Sequence, residues 1–256
     1  MFRHAIVRPP GATYAQGLTS SGEGAPDLAR ALEQHRLYCE ALESCGLSLH
    51  PAPTDDACPD GTFVEDTAVI AGQMAVITRP GAPSRQGETA SIVPVLRQFD
   101  LEMNEIVAPG TVDGGDVAQV EDHFYIGISQ RTNAQGAEQL ERIVRRHGYS
   151  ASAIDIRASR TLLHLKSGLS SLGDGYLIVT RELIDHPELK RYALLETPAE
   201  EDYAANCVRV NERVLLAAGY ARVAAMLEGV GYKTLALTMS EFRKMDGGLS
   251  CLSLRF

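Results

Sequence analysis

The chain has 256 residues, 45% hydrophobic and 22% charged, an ordinary globular composition long enough to bury a large core. Its 33 acidic against 24 basic residues leave a net charge of −9, which argues against a nucleic-acid binder and suits a small cationic partner. No apolar run approaches the ~18 residues of a membrane span, and Met1–Arg8 is too short and too charged for a signal peptide, so a cytoplasmic location with no membrane partner is expected.

Taken in chain order, Phe2–Val7 reads as a strand, and Gly17–Pro26 is a Gly- and Ser-rich loop that suits a lid as well as a plain surface loop. After Pro26 the spacing predicts an amphipathic helix with Leu28, Leu32, Leu42 and Cys45 on one face and Gly46 past its end. Thr67–Thr78 reads as a hairpin turning at Gly72-Gln73. Ser91–Phe99 has helical character, but Pro94 is expected to break its interior. A second hairpin, Val117–Ser129, turns at Glu121-Asp122. It leads into a helix over Thr132–His147, with Leu140, Ile143 and Val144 on one face and Gly148 as a stop. Hairpins follow at Leu169–Thr180, turning at Asp174-Gly175, and at Cys207–Ala218, turning at Asn211-Glu212. A helix over Arg222–Val230 carries Val223, Met226 and Leu227, and Leu249–Leu254 reads as a last strand. The turns recur about every 37 to 53 residues, which suggests a radial or stacked repeat. Four hairpins and two unpaired terminal strands imply a fifth unit closed by both chain ends, Phe2–Val7 lying beside Leu249–Leu254 and removing two sheet edges at once. No low-complexity linker divides the chain, so one domain over 1–256 is expected.

The chemistry concentrates near the C-terminus. Cys251 follows Asp246-Gly247-Gly248 and Ser250, and glycines beside a cysteine leave the thiol uncrowded. A thiol nucleophile needs a general acid/base, which His164 in Leu163-His164-Leu165-Lys166 supplies. The histidine needs a carboxylate to fix its tautomer, and Asp113 in Val112-Asp113-Gly114-Gly115-Asp116 can provide it. Spacing alone does not bring the three together. The remaining cysteines, Cys39, Cys45, Cys58 and Cys207, form no Cys-x-x-Cys pair and no ligand-like Cys/His cluster, which fits a reducing compartment. P-loop and Rossmann fingerprints are absent, so no nucleotide or other cofactor is expected. Zn²⁺ suits Cys251 and His164 as an inhibitor, since thiolate and imidazole are its preferred ligands, but no structural metal set is visible.

These segments, with Phe63-Val64-Glu65-Asp66, Ile77-Thr78-Arg79-Pro80-Gly81, Arg131-Thr132-Asn133 and Ala204-Ala205-Asn206-Cys207, resemble the dimethylargininases of the guanidino-group-modifying superfamily nearly end to end. The resemblance implies a five-bladed α/β propeller of ββαβ modules with pseudo-five-fold symmetry and the active site on its axis. It implies hydrolysis of a methylated arginine to citrulline and the methylamine, with Cys251 as nucleophile, His164 as acid/base and Asp113 as its orienter; relatives carry Glu or Asp at this last position. Glu65-Asp66 resembles the guanidinium-binding pair, and Asp246 is a second carboxylate candidate. Arg85 and Arg131 fall on carboxylate-binding positions, Leu18 and Met245 on positions offering backbone carbonyls, and Asp60 on one that helps hold the ammonium group. Arginine deiminases are similar but carry His-x-Asp where this chain has His164-Leu165-Lys166, so methylated arginine is preferred over arginine. A deiminase, a Cys-protease-like hydrolase and a non-catalytic binding protein of the same fold remain the alternatives, and the sequence leaves a homodimer open.

Overall fold

A computed structural model describes all residues, 1–256. Fifteen short strands form five separate three-stranded sheets. In four of them a hairpin is followed by a parallel third strand. These sheets are β3 (Ala68–Ala71), β4 (Met74–Ile77) and β5 (Glu102–Glu105); β6 (Val117–Val120), β7 (His123–Ile128) and β8 (Ser150–Asp155); β9 (Leu169–Gly173), β10 (Tyr176–Val179) and β11 (Ala193–Glu196); and β12 (Val208–Val210), β13 (Arg213–Ala217) and β14 (Lys233–Leu237). The hairpins turn where the sequence predicts. Gly72, Glu121, Asp174 and Asn211 each take a left-handed φ of 53–57°, the backbone that matches the twist of a two-residue hairpin.

The fifth sheet joins the chain ends. Strand β1 (His4–Val7) pairs antiparallel with β15 (Ser253–Arg255), placing Ile6 opposite Leu254, and parallel with β2 (Ser48–Pro51). The terminal strand is shorter than expected. Ser250–Leu252 forms a 3-10 turn, so Cys251 sits ahead of the strand rather than within it.

The helices cover the modules. They are α1 (Leu28–Ser44), α2 (Glu88–Leu96), α3 (Ala134–Arg146), α4 (Ala221–Gly229) and the short α5 (Ser240–Arg243). Helix α3 buries Leu140, Ile143 and Val144 as predicted. Three expectations are corrected. The buried stripe of α1 is Ala31, Gln34, His35, Tyr38, Ala41 and Leu42, while Leu32 is 41% exposed. Gln34 fixes that rotation: its amide nitrogen donates to Ser240 Oγ (2.8 Å) and its amide oxygen accepts from Glu241 N (3.0 Å), locking α1 on α5. Helix α2 runs through Pro94, which lies in the last turn and so removes a single i→i−4 bond. The module of β9–β11 has no α-helix, a 3-10 turn at Pro187–Leu189 making the crossover instead.

The first strand of every module lines one axial cavity of about 600 Å³, with Ala68, Val117, Ser170, Val208 and Leu254 each contributing. Ring closure is reinforced at the N-terminus. Asn211 Oδ1 accepts from Phe2 N (2.8 Å), and its Nδ2 donates to Phe2 O (3.1 Å) and Cys45 O (2.9 Å). Asn211→Ala is expected to lose roughly 1–2 kcal/mol, about 2–8 °C in melting temperature for a chain of this size. Asn211→Gly keeps the left-handed backbone but not the bonds. A glycine variant that melts like the parent would show that the turn geometry, not the capture of Phe2, matters here.

Candidate active site

A 3-10 turn lies ahead of each inner strand, and the five turns converge at one end of the axis. Val64–Thr67 precedes β3, Gly114–Asp116 precedes β6, Leu165–Ser167 precedes β9, Ala199–Ala205 precedes β12 and Ser250–Leu252 precedes β15. They carry or flank Glu65 and Asp66, Asp113, His164 and Lys166, Asn206, and Cys251. The glycines make this convergence possible. A Cβ on Gly115 would lie 2.7 Å from His164 Nδ1, and one on Gly248 would collide with the Asn206 side chain.

Asp113 and His164 meet: Asp113 Oδ2 lies 3.1 Å from His164 Nε2. The other carboxylate oxygen accepts from Gly81 N (2.8 Å), and Asp113 is wholly buried. Asp66 accepts from Arg85 Nη1 at 2.6 Å and from Gly115 N at 2.8 Å. Arg85 is clamped from behind by Glu88, to which Nε donates at 3.0 Å and Nη2 at 2.8 Å. Arg131 contributes its backbone N–H to Ser129 Oγ (2.9 Å), and its side chain enters none of the ion pairs. Asp60 accepts from Leu18 N at 3.1 Å through each oxygen.

Leu18, Asp60, Asp66, Arg85 and Arg131 wall one small cavity, of about 30 Å³, with His164, Met245, Asp246 and Cys251 on its other sides. Of the residues singled out in the sequence, Glu65 and Asp113 lie outside that wall. Asp113 stands behind His164. Glu65 lines both a cavity of about 480 Å³ that also reaches Cys251 and His164, and the axial cavity. Its carboxylate is held by Lys166 Nζ (2.5 Å) and by the Ser250 hydroxyl (2.7 Å). Asn206 completes this plug by donating to Ser250 Oγ (3.0 Å) and Lys166 O (2.9 Å) and accepting from Ser250 N (3.0 Å). Gly17–Pro26 lies over the site. Ser20 N donates to Asp246 Oδ2 (2.6 Å), and Glu23 pairs with Arg243 (2.7 Å).

The electrostatics act in opposite senses on His164 and Cys251. Burial favours a neutral imidazole, but Asp66, Asp116 and the hydrogen bond to Asp113 outweigh it and lift His164 to about 9. Burial, with Glu65 and Asp66 adding to it, pushes the Cys251 thiol up to about 12, against the opposing pull of Gly248 N–H and Lys166. At neutral pH the pair is therefore thiol and imidazolium. For Asp66, burial is overcome by Arg85, which holds the carboxyl below its usual range. Oxygens of Asp66 and Asp113 and a nitrogen of His164 lie within 4.8 Å of one another. Arg85 and the imidazolium already balance those two acids.

Glu88, Asp116, Thr132, Asn206 and Ser250 are absent from the residues singled out in the sequence. Asp116, Thr132 and Asn206 do stand inside the motifs that carry the resemblance, and Asp116 and Asn206 each lie at a turn ahead of an inner strand. Aligning the five turns on their hairpins would have drawn attention to both.

A five-module α/β propeller with cysteine, histidine and aspartate at its axial turns defines a guanidino-group-modifying enzyme. The family model for arginine deiminase matches residues 55–218. The chain is 46% identical over its full length to the full-length N(G),N(G)-dimethylarginine dimethylaminohydrolase of Pseudomonas aeruginosa, and 38% identical to that of Streptomyces coelicolor, covering 99% of this chain and 96% of the relative. The structure of a cysteine-to-serine variant of the Pseudomonas enzyme complexed with citrulline superposes with a TM-score of 0.96, covering 100% of both chains at 46% identity. The chain belongs to the dimethylarginine dimethylaminohydrolase family.

His164 binds its proton more tightly in the fold than a free imidazole does. Its folded value of about 9 lies above the ordinary 6.5, so its ion pair stabilises the fold fully below pH 6.5, and that contribution is lost as pH rises through about 9. The kcat/KM profile is expected to fall over the same alkaline range, and Asp113→Asn should move that limb to lower pH. A limb that stays in place in Asp113→Asn would mean that Asp113 does not set the proton affinity of His164.

Proposed function

We propose that the chain hydrolyses N-omega-methylated arginine to citrulline and the methylamine through a covalent thiouronium on Cys251. The observation that carries this reading is the set of side chains where the small cavity meets the one of about 480 Å³, the two sharing His164, Asp246 and Cys251. Thiol, imidazole and an aspartate-oriented proton lie on one side, and acids and arginines suited to an amino acid line the other. The acidic surface charge, cysteine usage and continuous turn-to-turn packing support one cytoplasmic domain acting on a small cationic substrate.

The fork of Arg131 takes the substrate carboxylate, with Arg85 behind it, and Asp60 with the carbonyls of Leu18 and Met245 holds the ammonium. Asp66 and Asp246 flank the guanidinium. A cation placed beside the thiol stabilises the thiolate, so on substrate binding the Cys251 proton leaves to bulk water while His164 keeps its own for the departing nitrogen. The sulfur attacks the guanidinium carbon. His164 gives its proton to the departing nitrogen, the C–N bond breaks and the methylamine leaves. Neutral His164 then takes a proton from water, hydroxide adds to the same carbon, and the C–S bond breaks to return Cys251 and release citrulline. Glu65 pairs with Lys166 outside the small cavity, so one acid fewer faces the terminal nitrogens, and a methyl group fills space that an unsubstituted guanidinium leaves loose.

Cys251→Ser should fold and yield no citrulline, because a hydroxyl is a far poorer nucleophile at neutral pH. Parent protein assayed with asymmetric dimethylarginine, monomethylarginine and arginine should give kcat/KM for the methylated substrates roughly 100-fold above arginine, the scale of a ~1 Å misplacement. Equal rates on arginine would replace this reading with a deiminase.

A further inference from the structure

Asp116 is a wholly buried carboxylate with no part in the chemistry above. Its two oxygens reach two different segments. Oδ1 accepts from the backbone N–H of Leu165, the residue after His164, at 3.0 Å, and Oδ2 accepts from the Ser129 hydroxyl at 2.6 Å. Ser129 Oγ in turn accepts the N–H groups of Arg131 (2.9 Å) and Thr132 (3.1 Å), so it shapes the bend that presents Arg131. Thr132 Oγ1 accepts from Asp113 N at 3.1 Å, which returns the network to the turn it started from. An acid buried to this degree costs several kcal/mol unless its hydrogen bonds compensate. A neutral residue of similar size could fill the same space, so packing alone does not explain a carboxylate here.

Resting on the reading of His164 as acid/base and Arg131 as carboxylate clamp, we propose that Asp116 is a positioning residue that sets both groups from one buried charge, His164 through the Leu165 backbone and Arg131 through Ser129. Asp116 also acts on His164 through space. The imidazole is faced by Asp66 from the turn before β3, by Asp113 and Asp116 from the turn before β6, and by Cys251 from the turn before β15. Across the small cavity stand Asp60, Arg85, Arg131 and Asp246, and Lys166 shares its own turn. Asp66 and Asp116 are the two strongest through-space charges raising its proton affinity. Removing one leaves burial less opposed.

The test compares Asp116→Asn and Ser129→Ala with the parent by thermal melting, by kcat and KM on asymmetric dimethylarginine, and by NMR titration of the His164 imidazole. Asn keeps an oxygen for Leu165 N–H but removes the charge. Asp116→Asn should lower the His164 titration point by about one unit and kcat by roughly 10- to 100-fold. Ser129→Ala should raise KM several-fold, on the order of one lost hydrogen bond, with the His164 titration unmoved. An Asp116→Asn protein that melts lower yet keeps the parent titration and kcat overturns the proposal, since a purely structural acid would behave that way. If Asp116→Asn does not fold, Ser129→Ala decides: raised KM with an unmoved titration upholds the positioning of Arg131, and an unchanged KM overturns it. The titration needs no turnover, so a parent protein inactive on methylarginines would sink the proposed function while Asp116 is still judged.

Discussion

The pairing of β1 with β15 is the contact on which the rest depends. Strand β15 has three residues, and Cys251 lies on the turn just before it. Left unpaired, this segment would be a fraying tail, and the ring would expose two open sheet edges. The closure extends beyond the ladder. Phe256 O accepts from Arg3 N (2.8 Å) and His4 N (2.9 Å), and the Phe256 ring packs edge-on against Phe99 with centroids 4.8 Å apart. Asn211 fastens Phe2 to the neighbouring hairpin. Cys251 is held in place because the strand after its turn pairs with β1.

The second constraint is charge. Three buried acids, Asp66, Asp113 and Asp116, crowd one imidazole. That much negative charge in a dry site is tolerable only with cations to balance it. The protein provides Arg85 and the imidazolium, and a substrate guanidinium would be a further one. Burial, with Glu65 and Asp66 adding to it, raises the Cys251 thiol, so Asp66 alone acts on both groups. A thiol is a weaker nucleophile and metal ligand than a thiolate.

Much of the fold is legible in the sequence because turn chemistry is local. Asn211-Glu212, Asp174-Gly175 and Gly72-Gln73 announce hairpins whatever surrounds them, and the left-handed φ at each first position bears this out. What is less legible depends on partners far along the chain. Leu32 points outward because Gln34 answers Ser240 and Glu241, more than 200 residues away, and no periodicity of α1 alone carries that information. The site divides the same way. The motif residues are visible as motifs, but the commitment of Arg85 to Asp66 and Glu88, or of Glu65 to Lys166, is a property of convergence and not of spacing.

That convergence also explains how one repeated turn yields five different roles. The turns before β3, β6, β9, β12 and β15 share a shape and an axial position, so they compete for the same small volume. Room for their large side chains is made by glycines, as Gly115 beside His164 and Gly248 beside Asn206 show. Had all five turns carried acids, the axis would hold uncompensated charge. Had all carried apolar groups, it would close as a core. A polar cavity forms because acids come from two adjacent turns, the imidazole and its lysine neighbour from the third, an amide from the fourth and the thiol from the fifth. Pseudo-symmetry supplies the geometry, and the departure from symmetry at one position per module supplies the chemistry.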